Sequence, residues 1–566
     1  MKNRTMERGR RLGLCAAVVI ASGACLDLNV TNPNAPDRER AIVSASDIQA
    51  LISGSFRGWF DIEAYFYPGS AMLVAADGPS SSWANFGMRD ASQEPRKAYD
   101  NDPAYTYNAL NRLPWIWAYR SLAGARDGLA AIKANPEKLA EELGGQADLD
   151  RLVAFGKLVQ GLSLSTLALN FDRAFVVDEE TKLDELELMG YPEVWDAAAA
   201  KLGEAIQLSQ GAAWSIPRLW IGCNEDWSAS RMVEIARAYR ARYTSQLPRT
   251  PAERESLDWA AIKSDATSGF SNHFAGLYNA CLWGWDGIKW PVLINPGWGR
   301  TDYRTIGPAD ASGEWEKWIN APPEGKRPFN IDTDDRRITG GNYNDDGMYM
   351  EYYGTSPYPA DRGLYHYSHY KDYRWDYIWV DQGFIGEWIK FDEKELDFLA
   401  AEADFRLGNK TGTMSLVNKY RLEHGMLPPF ASVDDRAPGG NRCVPQNPDG
   451  SCGDLWEAYK YEKRIEVYGY GYGTEFFDDR GWGDLVEYTW TQVPIPGSEL
   501  EILLMDIYTF GGPGGNSSAY LGTPQDLSKV MDFRKQTPEA LRMKRKMLEA
   551  WNELNVVTPD EIPIKR

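Results

Sequence analysis

Histidine is almost missing from this chain, with four residues in 566: His273, His366, His369 and His424. That scarcity argues against a histidine-built metal centre. The one close pair, His366 and His369 in "YHYSH", could hold a metal only on a helix, and its segment lacks helical period, so it reads as surface packing. Cysteine is also scarce, at six residues, and no Cys/His signature or Gly-x-Ser-x-Gly elbow appears. A basic excess is lacking. The formal charge is −20, and so acidic a body repels phosphate backbones, which argues against nucleic-acid binding. Long apolar runs are lacking too. Leu12–Ala21 falls short of the ~20 residues a membrane helix needs, and no other stretch reads as a span. No long Gly/Ser- or Pro-rich linker divides the chain, which predicts one compact unit.

What is present begins with an export signal. Lys2, Arg4, Arg8, Arg10 and Arg11 precede the short apolar run, so residues 1–24 are expected to be removed. One reading places the cut after Ala24 as in an ordinary secreted protein. The other takes Ser22-Gly23-Ala24-Cys25 as a lipobox, with Ser22 where Leu is usual, leaving Cys25 as a lipidated N-terminus. The lipoprotein reading is preferred, with several acyl chains giving a stable anchor. Losing five basic groups and one acidic group with residues 1–24 moves the charge from −20 to −24. In an exported chain the later cysteines can pair. Cys443 and Cys452 bracket the turn-rich "VPQNPDGS" and are expected to bridge, while Cys223 and Cys281 form a weaker second candidate.

The regions about 38–265 and 392–485 read as amphipathic helices. Leu158, Gly161, Leu162, Ser165 and Leu169 share one face, as do Val194, Ala198, Leu202, Ala205 and Leu208, and then Ile235, Ala238, Tyr239 and Arg242. Small residues on these faces suit stacked helical hairpins of tetratricopeptide type. Leu396, Leu399, Ala400, Ala403 and Leu407 repeat the pattern before Gly408. Between about 270 and 391 the pattern gives way to ring-dense, Gly/Asp/Pro-rich sequence, read as long loops with short strands.

Several clusters invite chemistry. Glu462, Glu466, Glu475, Asp478 and Asp479 could include a glycosidase acid/base pair, but helix salt bridging and loop capping by Glu462, Arg464, Glu466 and Arg480 is the preferred reading. Gly469, Gly471 and Gly473 follow a helix, not a strand, so they end a helix and do not cradle phosphate. "NYNDDG" at 342–347 starts like a calcium loop but has Tyr353 where the bidentate Glu belongs. A polar turn is preferred, a structural calcium of looser design stays open, and no other cofactor is expected. Aromatic residues make up 13% of the chain. Trp83, Asn85, Phe86 and Arg89 sit in "WANFGMRD", and Trp283, Trp285 and Trp298 sit in the central loops. Flat rings beside Asn and Arg suit a carbohydrate platform, although core packing is the rival for any single Trp.

The chain as a whole resembles the SusD/RagB family. The likeness runs through "LDLNVTNPN" after Cys25, "LPWIWAYRSLAGARDGL", "LALNFDRAF", "RPFNIDTDDRRITG" with Asp335 and Arg336 taken as its Asp-x-Arg, and "LAAEADFRLGNKTGTMSLVNKYRLEHGM". It ends on Glu462, Arg464, Glu466, Gly471, Phe477, Asp478, Arg480, Trp482 and Gly483. Lys463, Tyr470 and Gly481 depart from the pattern, marking a divergent branch. The resemblance implies a mainly α, SusD-like fold: a tetratricopeptide-type helical hairpin superhelix and an irregular loop-rich region with short strands. It divides the chain into a signal peptide 1–24, lipidated Cys25 with a tether 25–37, and one domain 38–566 with its ligand region about 270–391. It implies no catalysis, and instead glycan capture at the cell surface for a TonB-dependent, SusC-like outer-membrane transporter. Peptide or another polymer is the alternative cargo, and a secreted glycoside hydrolase the remaining rival.

Overall fold

A capping box opens the first helix. Asp47 N donates to Ser44 Oγ at 3.2 Å and Ser44 N donates to Asp47 Oδ2 at 3.2 Å, satisfying two amides that a helix start leaves open. The computed structural model describes residues 44–81, 85–278, 299–354, 368–380 and 386–513. The signal segment, Cys25 and the tether lie outside them. From Ser44 run α1 (Ala45–Ala64), α2 (Met88–Ser92), α3 (Ala109–Ala134), α4 (Gln146–Asn170), α5 (Tyr191–Ser209), α6 (Ala229–Gln246) and α7 (Trp259–Thr267). After the irregular middle come α8 (Glu393–Arg406), α9 (Lys410–Tyr420), α10 (Leu455–Glu466) and α11 (Thr474–Trp482). The architecture is mainly α.

The long helices pack in sequence, α1 on α3, α3 on α4, α4 on α5 and α5 on α6. Glycine allows the close approach. A Cβ on Gly128 of α3 would lie 2.3 Å from Ile52 Cγ1 of α1, and one on Gly161 of α4 would lie 2.7 Å from Leu202 Cγ of α5. The structure corrects the sequence reading of α4. Its expected apolar face is only part of the buried surface, because every residue from Ala154 to Asn170 is buried. By length and composition α4 could span a membrane, contrary to expectation, yet 94% of that window is buried inside the protein. Contact with α1, α3 and α5 on several sides supplies the reason. Leu208 and Leu407, expected on buried faces, are 40% and 54% exposed because each sits in the last turn or beyond it.

The middle holds short antiparallel ribbons: β1 (Pro79–Ser81) with β3 (Gly299–Thr301), β2 (Phe274–Tyr278) with β6 (Gly386–Phe391), and β4 (Met350–Tyr352) with β5 (Tyr370–Asp372). It also builds its own core, in which Trp315, Trp318, Ile331, Ile338, Met350 and Tyr370 are buried. α10 serves both cores. Ala458 and Tyr459 enter the large helical core, while Tyr461 and Ile465 enter the smaller one.

Ion pairs without solvent lock these parts together. Arg337 Nη2 donates to Asp335 Oδ2 at 2.7 Å and its Nη1 to Glu466 Oε1 at 3.0 Å, with Glu462 also bound, and all four side chains are fully buried. Arg254 grips Glu402 of α8 with two bonds of 2.7 Å and reaches Asp478 of α11 at 3.0 Å. The expected helix-surface salt bridging is therefore corrected. Glu462 and Glu466 pair with Arg337, over 120 residues away, because burial demands a partner that neighbouring turns do not supply. The pairing side chain of the Asp-x-Arg segment is Arg337, not Arg336. Arg464 does cap locally, on Asp479 and Asp484. Among the described residues Arg480 pairs with no carboxylate, and it donates to the carbonyls of Leu169 and Thr491 at 3.0 and 2.7 Å. Gly469, Gly471 and Gly473 turn the chain at φ +77°, +67° and +66°. Cys443 and Cys452 are bonded, with Cα atoms 5.8 Å apart. Cys223 is also disulfide-bonded, and Cys281 lies outside the described residues.

Two measurements check this account. Gly128→Ala should destabilise by about 1–3 kcal/mol through overpacking against Ile52, read as a lower midpoint in urea; an unchanged midpoint would show that α1 and α3 can separate freely. Burial raises the Glu402 carboxyl, but Arg254 outweighs it and holds the group at about 2, below its ordinary 4.5. A depressed folded value gives stabilisation that is complete above 4.5 and lost as pH falls toward 2. Unfolding free energy should therefore drop across that window, and Glu402→Gln should flatten the slope while lowering stability at neutral pH; an unaltered slope would contradict the assignment.

Candidate functional site

The β1–β3 ribbon joins two of the ring-rich segments. Ser81, from which the chain runs on toward Trp83, pairs with Gly299, into which it arrives from Trp298. Trp83, Trp283, Trp285 and Trp298 lie outside the described residues, as does the Asn85 side chain. Phe86 and Arg89 can be placed. Phe86 takes a left-handed φ of +57° and Gly87 one of +72°. A Cβ on Gly87 would lie 2.6 Å from Leu110 Cδ1, so only glycine fits that turn. A bulky residue at positive φ costs about 1–3 kcal/mol, and such strain gathers at functional sites. The Phe86 ring stacks on Phe66 at 4.1 Å, with 4° between planes, and meets Tyr67 edge-on at 5.8 Å. One face is thus covered, and Phe86 braces the turn instead of standing free.

The strained turn sets α2. Met88 is fully buried and fixes the helix, which leaves Arg89 exposed and Asp90 half-buried. Asp90 Oδ2 accepts from Tyr105 OH at 2.5 Å. Beside them is a cavity of about 450 Å³ walled by Asp90, Tyr99, Asp100, Tyr105, Leu110 and Trp490. A hollow of about 350 Å³, walled by Arg89, Asp90, Gln93, Lys97 and Tyr107, shares Asp90 and Lys97 with it. Volumes of this order suit small-molecule ligands. The Tyr105 and Tyr107 rings meet edge-to-face at 5.7 Å, and Tyr99 meets Trp490 at 5.8 Å. Burial, then the bond to Asp90, pushes the Tyr105 phenol up; burial, then the Asp90 charge, raises Tyr107. Both stay neutral hydroxyls at physiological pH.

Sequence reasoning missed Gln93, Lys97, Tyr99, Tyr105, Tyr107 and Trp490. The "DPAYTYNAL" segment carried a usable signal, two tyrosines just after an Asp-Pro turn. Trp490 carried none, since nothing local ties it to residues almost 400 positions earlier. The cavity also lies outside the 270–391 region expected to present ligand. That region holds another ring group: Tyr352 meets Tyr343 and His369 at 5.6 and 5.9 Å, and the Arg300 guanidinium lies 4.4 Å from the Tyr353 ring centroid. His369 Nδ1 lies 2.8 Å from Asn330 Oδ1, while His366 is outside the described residues. "NYNDDG" forms a self-satisfied turn, in which Asp345 Oδ2 accepts from Asn342 Nδ2 at 2.7 Å and Asp346 Oδ1 from Tyr352 N at 3.0 Å. Among the described residues no group of three His, Cys, Asp or Glu side chains is placed to hold a metal. The signature carboxylates Glu462 and Glu466 are fully buried against Arg337. Burial raises Glu466, and the His424 hydrogen bond with Arg337 and neighbouring cations brings it down to about 2.

No protein-family profile matches the chain, and no curated protein matches it. Solved structures do. A SusD superfamily protein from Bacteroides vulgatus is 15% identical over 83% of this chain and 99% of its own, with a TM-score of 0.49. One from Bacteroides thetaiotaomicron is 14% identical over 81% and 96%, also at 0.49. A SusD-like carbohydrate binding protein from Bacteroides fragilis is 13% identical over 78% and 86%, with a TM-score of 0.50. At such identity the correspondence with the Bacteroides fragilis protein is one of backbone architecture, and it shows that this chain is built on the SusD-like fold.

Proposed function

We propose that this protein is a nutrient-binding lipoprotein, anchored through Cys25 to the outer membrane and facing outward, which captures glycans for a SusC-like TonB-dependent transporter without processing them. The observation that carries the reading is the tyrosine-walled cavity beside Arg89 and Asp90. Phenol rings offer flat apolar faces to a sugar ring, and neutral hydroxyls with two carboxylates, an amide and two cations offer partners for its hydroxyl groups. The solved structure that shares the fold is described as a carbohydrate binding protein, which supports the same ligand class here. Trp83, Asn85, Trp283, Trp285 and Trp298 are proposed as further ligand-binding residues. Of the carboxylates considered for hydrolysis, Glu462, Glu466, Asp478 and Asp479 are buried and paired with arginines, which weakens the hydrolase alternative.

Titration calorimetry against an oligosaccharide panel tests this. Saturable heats are expected, and Tyr107→Ala should weaken binding about tenfold, or 1.4 kcal/mol. Continuous heat after each injection would signal turnover and install the hydrolase. Silence across the panel, with saturable heats from peptides, would move the cargo to the alternative class.

A further inference from the structure

The protein carries 20 more acidic than basic groups, and its arginines are mostly spent on carboxylates. Arg337, Arg254, Arg242 and Arg464 are all paired in this way. Arg89 and Lys97 are different. Both side chains are exposed, both wall the smaller hollow, and neither has an ion-pair partner among the described residues. Asp90 is the one carboxylate of that hollow and accepts from the Tyr105 hydroxyl at 2.5 Å, so two cations face a single acid there. Gln93 adds an amide whose Nε2 finds no acceptor among the described residues. The half-buried Tyr107 ring closes the wall.

Two like charges held on one small hollow repel each other, and in so acidic a protein carboxylates to neutralise them are plentiful. The fold leaves these two open. Arginine presents a planar fork that matches a carboxylate or sulfate with two parallel bonds, and lysine adds a point charge beside it. An adjacent phenol ring can take the apolar face of the sugar that bears the anion. We infer that the ligand is an acidic glycan, whose carboxylate or sulfate group sits between Arg89 and Lys97 in the smaller hollow while a neighbouring unit occupies the larger cavity. This rests on the glycan-binding reading above and names its substrate class.

Calorimetry on the purified chain with three hexasaccharides tests it: an oligogalacturonate, a chondroitin sulfate fragment and a neutral galactan. At least one acidic oligomer should bind about tenfold or more tightly than the neutral one, with affinity falling as salt rises. The acidic arm that binds distinguishes carboxylate from sulfate. Arg89→Ala and Lys97→Ala should each remove most of that advantage and its salt dependence; circular dichroism confirms that the variants fold. Equal affinity for the neutral oligomer overturns the charge assignment while leaving the glycan reading in place, as does acidic binding indifferent to both substitutions. No heat from either acidic oligomer overturns this inference, and the wider oligosaccharide panel then decides the glycan reading separately.

Discussion

One buried guanidinium holds the two halves of this protein in register. Arg337 comes from the irregular middle, yet its partners Glu462 and Glu466 belong to α10, and no water reaches any of them. A charge so enclosed is tolerated only if its partners are present and their remaining lone pairs are filled. They are filled: Tyr461 OH donates to Asp335 at 2.8 Å and Tyr349 OH to Glu466 at 2.8 Å. Removing one partner from such a set costs about 3–5 kcal/mol, because it strands the others. Since α10 lends side chains to both hydrophobic cores, the ion set ties the irregular middle to the helix that both cores share.

Arg254 repeats the device within the helical part. It ties α8 to α11 through Glu402 and Asp478, and Lys463 of α10 reaches Asp478 at 2.7 Å. The "RIEVYGYGYGTEFFDDRGWGDL" stretch thus carries few surface charges. Its glycines turn the chain in conformations other residues avoid, Glu466 and Asp478 are partners of the distant Arg337 and Arg254, and Arg464 pairs within the stretch with Asp479 and Asp484. A segment rich in carboxylates looks catalytic until its solvent exposure is known.

The candidate site is assembled differently. Its strained turn at Phe86 and Gly87, α2 and the tyrosines near 105 lie close in sequence, and the buried helical core supports them from beneath. Trp490 closes the cavity from the far end of the chain by packing on Tyr99. A rigid base and a wall of neutral hydroxyls give a hollow that needs no rearrangement of its core to receive a ligand. The open cations on its rim set it apart from a surface otherwise dominated by acids.

The sequence alone determined the helix pattern, the helix-ending glycines, the Cys443–Cys452 loop and the resemblance that anticipated the SusD-like fold. These are local or whole-chain signals: periodicity, turn chemistry and spacing survive in one dimension. Only the tertiary structure decided that Glu462 answers to Arg337 and not to a helix neighbour, that α4 is buried on nearly every side, and that a cavity walled by Tyr105 and Trp490 meets a hollow walled by Arg89 and Tyr107 at Asp90 and Lys97. Those facts depend on which distant surfaces exclude water from one another. Burial is a property of the packed chain, and it changes a carboxylate from a solvated acid into one half of an obligatory pair.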